Sequence, residues 1–140
     1  MSEREILTVD ILLVGDRGSV LLIERTKSPY EDRLVMPGGH HENGESLRQA
    51  AQRELNEEVG ILVDEADLEF LVKLVASDRD PRPGRRISYV FMLNVTEFIL
   101  TQAQPASDAK QVHIVPLRDI TPEMMGFDHY LAIEALRALL

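Results

Sequence analysis

The sequence predicts an α+β domain in which two helices pack against a mixed β-sheet. Three observations support this prediction: segments of alternating apolar residues recur along the chain, two segments carry apolar residues at helical spacing, and a glycine-rich loop precedes the first of them. The chain has 140 residues, of which 44% are hydrophobic and 28% charged. This is the size and composition of one folded domain, so we expect residues 1–140 to form a single unit.

The first half of the chain is predicted to form a β-hairpin, a short strand and a helix. Val9, Ile11 and Leu13 alternate before a turn at 15–18, and an apolar run at 20–23 follows the turn. Residues 34–36 predict a short strand that leads into a glycine-rich loop at 37–45. A helix is predicted over 46–59, because Gly60 then stands where a helix-ending glycine is favoured.

The second half is predicted to contain two paired strands, a loop, a short strand and a second helix. Apolar alternation predicts strands over 68–76 and 87–95, which flank residues 77–86 and would pair as a wide hairpin. Residues 101–110 are polar and predict a loop, and residues 112–115 predict a further strand. Apolar residues at helical spacing predict a C-terminal helix over 127–140.

Composition excludes several classes of partner. The net charge of -9 argues against duplex nucleic acid or an anionic membrane as the main partner, because both are themselves negatively charged. The absence of cysteine rules out disulfides and thiolate metal ligands. No signal-peptide pattern stands at the N-terminus, and no apolar run approaches the ~20 residues of a membrane span, so a cytoplasmic location is expected.

Three acids occupy the last turn of the predicted first helix. Glu54, Glu57 and Glu58 are spaced three and four residues apart, which places them on one face. Such pairs repel by about 0.2–0.5 kcal/mol, and the helix C-terminus disfavours each anion by about 0.3–1 kcal/mol. We expect no nearby residue to neutralise this repulsion, so a bound cation is the simplest resolution, and oxygen ligands without thiolates favour Mg²⁺ or Mn²⁺. The alternative is a solvated acidic helix paired to Arg48 and Arg53.

These acids form part of a longer motif. Gly39, Glu45 and the run Arg-Glu-Leu-Asn-Glu-Glu-Val-Gly-Ile at 53–61 match the Nudix box, so residues 39–61 resemble the MutT-like Nudix hydrolases. The resemblance implies a curved mixed sheet in an α/β/α sandwich, and a metal-activated water that attacks a pyrophosphate link. It also implies that Glu54, Glu57, Glu58 and the Gly39 carbonyl hold Mg²⁺ or Mn²⁺. Arg53 and Glu45 carry over as an ion pair that orients the site.

Other candidate site residues lie beyond the motif. Some relatives carry a general base on a later loop, and Asp108 in the predicted loop at 101–110 is the candidate here, with Glu97 and Glu123 as weaker alternatives. For each of them, a solvated loop acid is the alternative interpretation. Arg85 and Arg86 end a basic cluster in residues 77–86 that could clamp a phosphate, although a solvated hairpin tip would look the same. His129 is expected to cap a helix or contact the core.

The substrate prediction rests on a second resemblance. Residues 77–86 and the run Phe-Asp-His at 127–129 resemble the small ADP-ribose pyrophosphatase branch of the family. This resemblance implies hydrolysis of a pyrophosphate bond in a substituted nucleoside diphosphate, with ADP-ribose cut to AMP and ribose 5-phosphate. The alternatives are a nucleoside triphosphate pyrophosphatase that sanitises nucleotide pools, and a noncatalytic nucleotide-binding sensor. Homodimers are common in the family, so a homodimer is compatible with each alternative.

Overall fold

The computed structural model describes residues 4–106 and 110–140 and contains one mixed sheet with helices on both faces. Its strands are β1 (Glu5–Gly15), β2 (Ser19–Glu24), β3 (Leu34–Val35), β4 (Gly38–His40), β5 (Glu69–Leu74), β6 (Arg85–Val95) and β7 (Gln111–Pro116). Its α-helices are α1 (Leu47–Val59), α2 (Glu97–Thr101) and α3 (Tyr130–Ala138). Within the described ranges, no helix combines the length and the apolar character needed to cross a membrane.

The centre of the sheet is the pair β1 and β6. These strands run parallel over their full length, from Glu5 opposite Arg85 to Gly15 opposite Val95. The main path through the sheet is β3-β2-β1-β6-β5, with β4 paired to β1 and β7 paired to β2. All pairs other than β1 with β6 are antiparallel, which confirms both predicted hairpins and the mixed sheet.

Alternation along β1 divides the core into two layers. Ile11 and Leu13 pack into a cluster with Ala50, Ala51 and Leu55 of α1. Leu12 and Val14 point the other way into a cluster that contains the buried residues of α3. Successive side chains of a strand point to opposite faces, so the sheet is covered on both sides. The architecture is therefore the predicted α/β/α sandwich.

Local chemistry fixes both ends of α1. The Ser46 hydroxyl accepts from the Gln49 amide at 3.0 Å, and the Gln49 side chain accepts from the Ser46 amide at 2.7 Å, which forms a capping box. Gly60 adopts a left-handed φ of 71° and donates to the Asn56 carbonyl. The helix that carries the three acids therefore ends before Gly60 as predicted, whereas Ser46, predicted as its first residue, caps it instead.

Three predictions about elements were wrong or incomplete. Two helices were expected, but a short third helix, α2, follows β6 and is capped by Thr96. The predicted loop at 37–45 contains β4, which pairs with Thr8–Asp10 of β1. The C-terminal helix begins at Tyr130 rather than at 127, because Phe127 has a φ of 52° that an α-helix does not accommodate.

Candidate active site

The last turn of α1 carries the three acids, of which Glu58 lines a cleft. The side chains of Glu54, Glu57 and Glu58 are 13%, 58% and 20% exposed. Glu54 and Glu58 are therefore largely enclosed by protein, whereas Glu57 extends towards solvent. The burial of two neighbouring carboxylates is costly unless positive charge compensates for it.

Glu54 lies directly against the main chain of Gly39. A Cβ atom built on Gly39 would lie 2.3 Å from Glu54 Oε2 and 2.4 Å from Glu54 Cδ, so a side chain at position 39 would require this carboxylate to move. β4 holds Gly39 in place through its pairing with β1, opposite Val9. At the preceding position, a Cβ on Gly38 would lie 2.1 Å from the Val9 carbonyl oxygen. The two glycines thus permit β1, β4 and α1 to approach one another at this point.

Arg53 connects β4, the glycine strand, to the last turn of α1, the acidic turn that carries Glu54, Glu57 and Glu58. Its Nε donates to Glu45 at 3.1 Å, and its Nη2 donates to Glu45 at 2.7 Å and to the His40 carbonyl at 2.9 Å. Its Nη1 donates to Glu54 at 2.9 Å and to Glu57 at 3.2 Å. The ion pair expected between Arg53 and Glu45 is therefore present, and its part in catalysis stays a prediction.

This network shifts the pKa values of its members. Hydrogen bonds from Arg53 lower the pKa of Glu45 from 4.5 to about 2. The same contact with Glu45, reinforced by Glu54, raises the pKa of the Arg53 guanidinium. Burial raises the pKa of Glu54, and repulsion from Glu57 and Glu58 adds to this effect, while Arg53 opposes it. Glu54 is thus the acid of the turn that most needs a cation.

The expectation that nothing nearby neutralises the acids was wrong. Arg53 pairs with Glu54 and Glu57, and Lys110 Nζ lies 3.0 Å from a Glu58 carboxylate oxygen. With the side chains so engaged, no three acids or histidines in residues 4–106 and 110–140 converge as a metal site. The repulsion inferred from the helix alone is therefore reduced by a helix neighbour and by a lysine distant in sequence.

The residues nevertheless fit a hard divalent cation. The carboxylate of Glu54 lies against the Gly39 main chain in a space that any side chain at position 39 would fill. Glu58 and Gly39 line the same cleft. Carboxylate and carbonyl oxygens are the donors that Mg²⁺ and Mn²⁺ prefer. A cation bound here would compete with Arg53 and Lys110 for the carboxylate oxygens of Glu54 and Glu58.

The cleft beside these acids has a volume of about 550 Å³. Six basic side chains line this cleft, although the net charge of the protein is -9. The basic residues that line it are Arg25, Lys27, Arg79, Arg82, Arg86 and Lys110. Such a lining suits a substrate that carries several negative charges.

Acidic partners hold two of these arginines. Arg79 makes three hydrogen bonds to Asp128, at 2.9, 2.9 and 3.1 Å, and its side chain is 5% exposed. Arg82 donates to Asp80 at 2.7 Å and lies 5.1 Å from the centre of the Phe127 ring. Their guanidinium groups are thus fixed in orientation before any ligand binds.

The structure separates the two arginines that were predicted to bind substrate, Arg85 and Arg86. Successive residues of β6 point to opposite faces of the sheet. Arg86 lines the cleft, whereas Arg85 donates to the Val75 carbonyl at 3.1 Å and lies 4.0 Å from Glu5. Of these two residues, Arg86 is the one that lines the cleft, and a role of either in substrate binding stays a prediction.

The candidates for a general base fare differently. Asp108 lies outside the described residues. Glu97, a weaker alternative, lies at the far end of β1, where its carboxylate contacts Gly15 and accepts from the Ser19 amide at 3.3 Å. Glu97 is therefore engaged in structure away from the acidic turn.

Sequence reasoning missed Asp10 and Arg25, which also line the cleft. Asp10 is 8% exposed, and its burial raises its pKa from 3.8 to about 6. A carboxylate inside the apolar run at 9–14 was a visible signal, because a buried charge needs a partner. Arg25 immediately follows β2, and its guanidinium lies 4.9 Å from the centre of the Phe127 ring.

Comparison with known proteins gives consistent similarities. The family model described as NUDIX domain matches residues 4–136. The ADP-ribose pyrophosphatase of Methanocaldococcus jannaschii is 34% identical over 124 residues, which cover 88% of this chain and 68% of that protein.

Two solved structures are also similar. The NUDIX domain of Shewanella oneidensis NrtR, solved with ADP ribose, has 26% identity and a TM-score of 0.81, with 99% of this chain and 90% of that one covered. A bifunctional NMN adenylyltransferase/ADP ribose pyrophosphatase from Francisella tularensis, complexed with AMP and a Mn ion, has 27% identity and a TM-score of 0.78. The match covers 99% of this chain but 42% of the Francisella protein, so this chain spans less than half of that relative.

Proposed function

The chain belongs to the NUDIX domain family and is a Nudix hydrolase, and from this premise we propose that it hydrolyses ADP-ribose to AMP and ribose 5-phosphate. The observation that carries the substrate is the 34% identity to an ADP-ribose pyrophosphatase over 88% of this chain. The Shewanella domain with bound ADP ribose and the Francisella enzyme with AMP and a Mn ion support it, since AMP would be one product.

The proposed metal ligands are Glu54, Glu57, Glu58 and the Gly39 carbonyl, with Mg²⁺ or Mn²⁺ as the ion. When bound, such an ion neutralises pyrophosphate charge and lowers the pKa of a coordinated water. Arg53 holds Glu54 and the His40 carbonyl, so it fixes the spacing between the acidic turn and the glycine strand. Glu45 binds the opposite edge of the same guanidinium and keeps it in that orientation.

The cleft arginines are proposed to bind the pyrophosphate and the groups on either side of it. Arg82 and Arg86 lie 2.7 Å and 3.8 Å from Oδ2 of Asp80, and all three residues line the cleft. Arg79 is turned towards Asp128 with three hydrogen bonds, so it supports the wall of the cleft. Phosphoryl transfer depends mainly on such positioning and charge compensation.

Product analysis tests the proposal. The purified protein is incubated with Mg²⁺ and either ADP-ribose or a panel of nucleoside triphosphates, and the products are separated by ion-exchange chromatography. We expect AMP and ribose 5-phosphate from ADP-ribose without pyrophosphate release, and no products from Glu58→Gln. Pyrophosphate and a nucleoside monophosphate from a triphosphate, with ADP-ribose intact, would favour the pool-sanitising alternative. Binding of ADP-ribose without hydrolysis would favour the sensor alternative.

A further inference from the structure

His129 lies buried behind the glycine strand, with 6% of its surface exposed. Its Nδ1 accepts a hydrogen bond from the Met36 amide at 3.1 Å. An amide can only donate, so Nδ1 carries no proton and the ring is the neutral tautomer with hydrogen on Nε2. Burial, together with the nearby positive charge of Arg79, lowers the pKa of His129 to about 3. Nδ1 of His129 therefore stays unprotonated near neutral pH and can accept from the Met36 amide.

The other edge of the ring faces a second polar group on the same wall. His129 Nε2 lies 3.8 Å from Asp10 Oδ2, which accepts from the Ser88 hydroxyl at 2.5 Å. The other carboxylate oxygen of Asp10 lies against Gly38, where a Cβ would be 2.4 Å from it. The Asp10 carboxylate of β1 is thus held by Ser88 of β6 and lies between the His129 ring and Gly38.

The neighbouring residue fixes the position of the ring. Asp128 is bound by Arg79 through hydrogen bonds from Nε and Nη2, at distances of 2.9–3.1 Å. Arg79 is 8% exposed and lies in the connection between β5 and β6. Because Asp128 precedes His129, this ion pair anchors the segment that carries the imidazole. Neither residue was given a role by the family motif.

We propose that His129 is a positioning residue for the segment 36–40, which we call the catalytic loop. By accepting from the Met36 amide, it keeps the main chain of Gly38 and Gly39 in contact with Glu54. This inference rests on the proposed function, because it assigns Gly39 and Glu54 to the metal site. The loop is then held at two ends, by His129 at Met36 and by Arg53 at the His40 carbonyl, 2.9 Å from Nη2. Between them, the Pro37 carbonyl accepts from the Ile11 amide at 2.9 Å.

Two substitutions separate this role from a general role in packing. His129→Asn places an amide oxygen near the position of Nδ1, so it can still accept from Met36. His129→Gln places its amide group near the position of Nε2 and leaves the Met36 amide without a partner. We expect His129→Asn to keep kcat within about threefold of wild type, and His129→Gln to lower kcat about tenfold or more with KM changed less than about twofold.

A readout independent of activity is amide hydrogen exchange in the metal-free protein. We expect the Met36 and Ile11 amides to exchange faster in His129→Gln than in His129→Asn, with amides of α3 unchanged between the two. If wild type does not hydrolyse ADP-ribose, the proposed function fails, but the exchange rates still test the role of His129.

Equal exchange rates at Met36 in the two variants, or a kcat that follows the melting temperature alone, would overturn the inference. If His129→Gln does not fold, Asp128→Asn decides, because it weakens the Arg79 anchor while the imidazole is retained. Faster Met36 exchange in Asp128→Asn than in wild type supports the role, and an unchanged rate overturns it.

Discussion

The ion pair between Arg53 and Glu45 should make the free energy of unfolding vary with pH in the acidic range. Arg53 lowers the pKa of Glu45 from 4.5 to about 2. A carboxyl with a lower pKa in the folded state stabilises the fold above its unfolded pKa, and this contribution is lost as pH falls through the folded pKa. The contribution of Glu45 should therefore be complete above about pH 5 and disappear between about pH 5 and about pH 2.

The size of the effect follows from the shift and from the surroundings. At about 1.4 kcal/mol per pKa unit, the shift from 4.5 to about 2 sets an upper limit of about 3 kcal/mol. The side chains of Arg53 and Glu45 keep 24% and 16% of their surface exposed, so water screens the pair. Arg53 also retains Glu54 and Glu57 when Glu45 is removed. We expect Glu45→Gln to lower the free energy of unfolding by about 1–2 kcal/mol at neutral pH.

Urea unfolding of wild type and Glu45→Gln between neutral pH and about pH 2 measures this difference. It should shrink as pH falls and vanish near the lower limit. Glu42→Gln is the matched control, because Glu42 lies 3.6 Å from the same arginine but its side chain is 67% exposed. Its effect should stay below about 0.5 kcal/mol. Equal effects of the two substitutions, or a difference that persists to the lowest pH, would refute the reasoning.

Three further predictions concern the acidic turn and the cleft. Millimolar Mg²⁺ should raise the melting temperature, by an amount equivalent to about 2.7 kcal/mol when free metal is 100 times its Kd; identical melting with chelator would contradict metal binding. Metal affinity, measured by calorimetry, should weaken as pH falls, because burial and then repulsion by its neighbours raise the pKa of Glu54; a pH-independent affinity would contradict this. Arg86→Ala should raise KM for the substrate about tenfold with kcat little changed, whereas Arg85→Ala, the matched control on the opposite face, should leave KM unchanged.

The parts of the site that were predictable are those that local chemistry determines. The terminator Gly60 and the spacing of the acids on α1 both act within a few residues along the chain. Short-range hydrogen bonds and helix periodicity therefore sufficed to place Glu54, Glu57 and Glu58 on one turn. The pairing of Arg53 with Glu45 came from the resemblance.

The parts that were missed depend on contacts between distant residues. Lys110 neutralises Glu58 from 52 positions away, and His129 reaches Met36 across 93 positions. Neither contact has a periodic signature. The separation of Arg85 from Arg86, by contrast, follows from strand alternation once β6 is extended to residue 85. The helix α2 has only five residues, too few for a helical period to appear.

The parallel pairing of β1 with β6 also sets how the chain reaches its native state. Each residue of β1 lies opposite one eighty positions later, as Glu5 lies opposite Arg85, so the centre of the sheet closes a very long loop. The entropy of such a closure, about 4 kcal/mol, must be met before the pairing contributes stability. Folding rates fall as such distant contacts dominate. Helix α1 can form early because its hydrogen bonds are local. The pairing of β1 with β6 forms late, and the pairing of β4 with β1 that positions Gly39 depends on it. Refolding should therefore be slow for a domain of this size, with binding competence gained in the same step as the central pair.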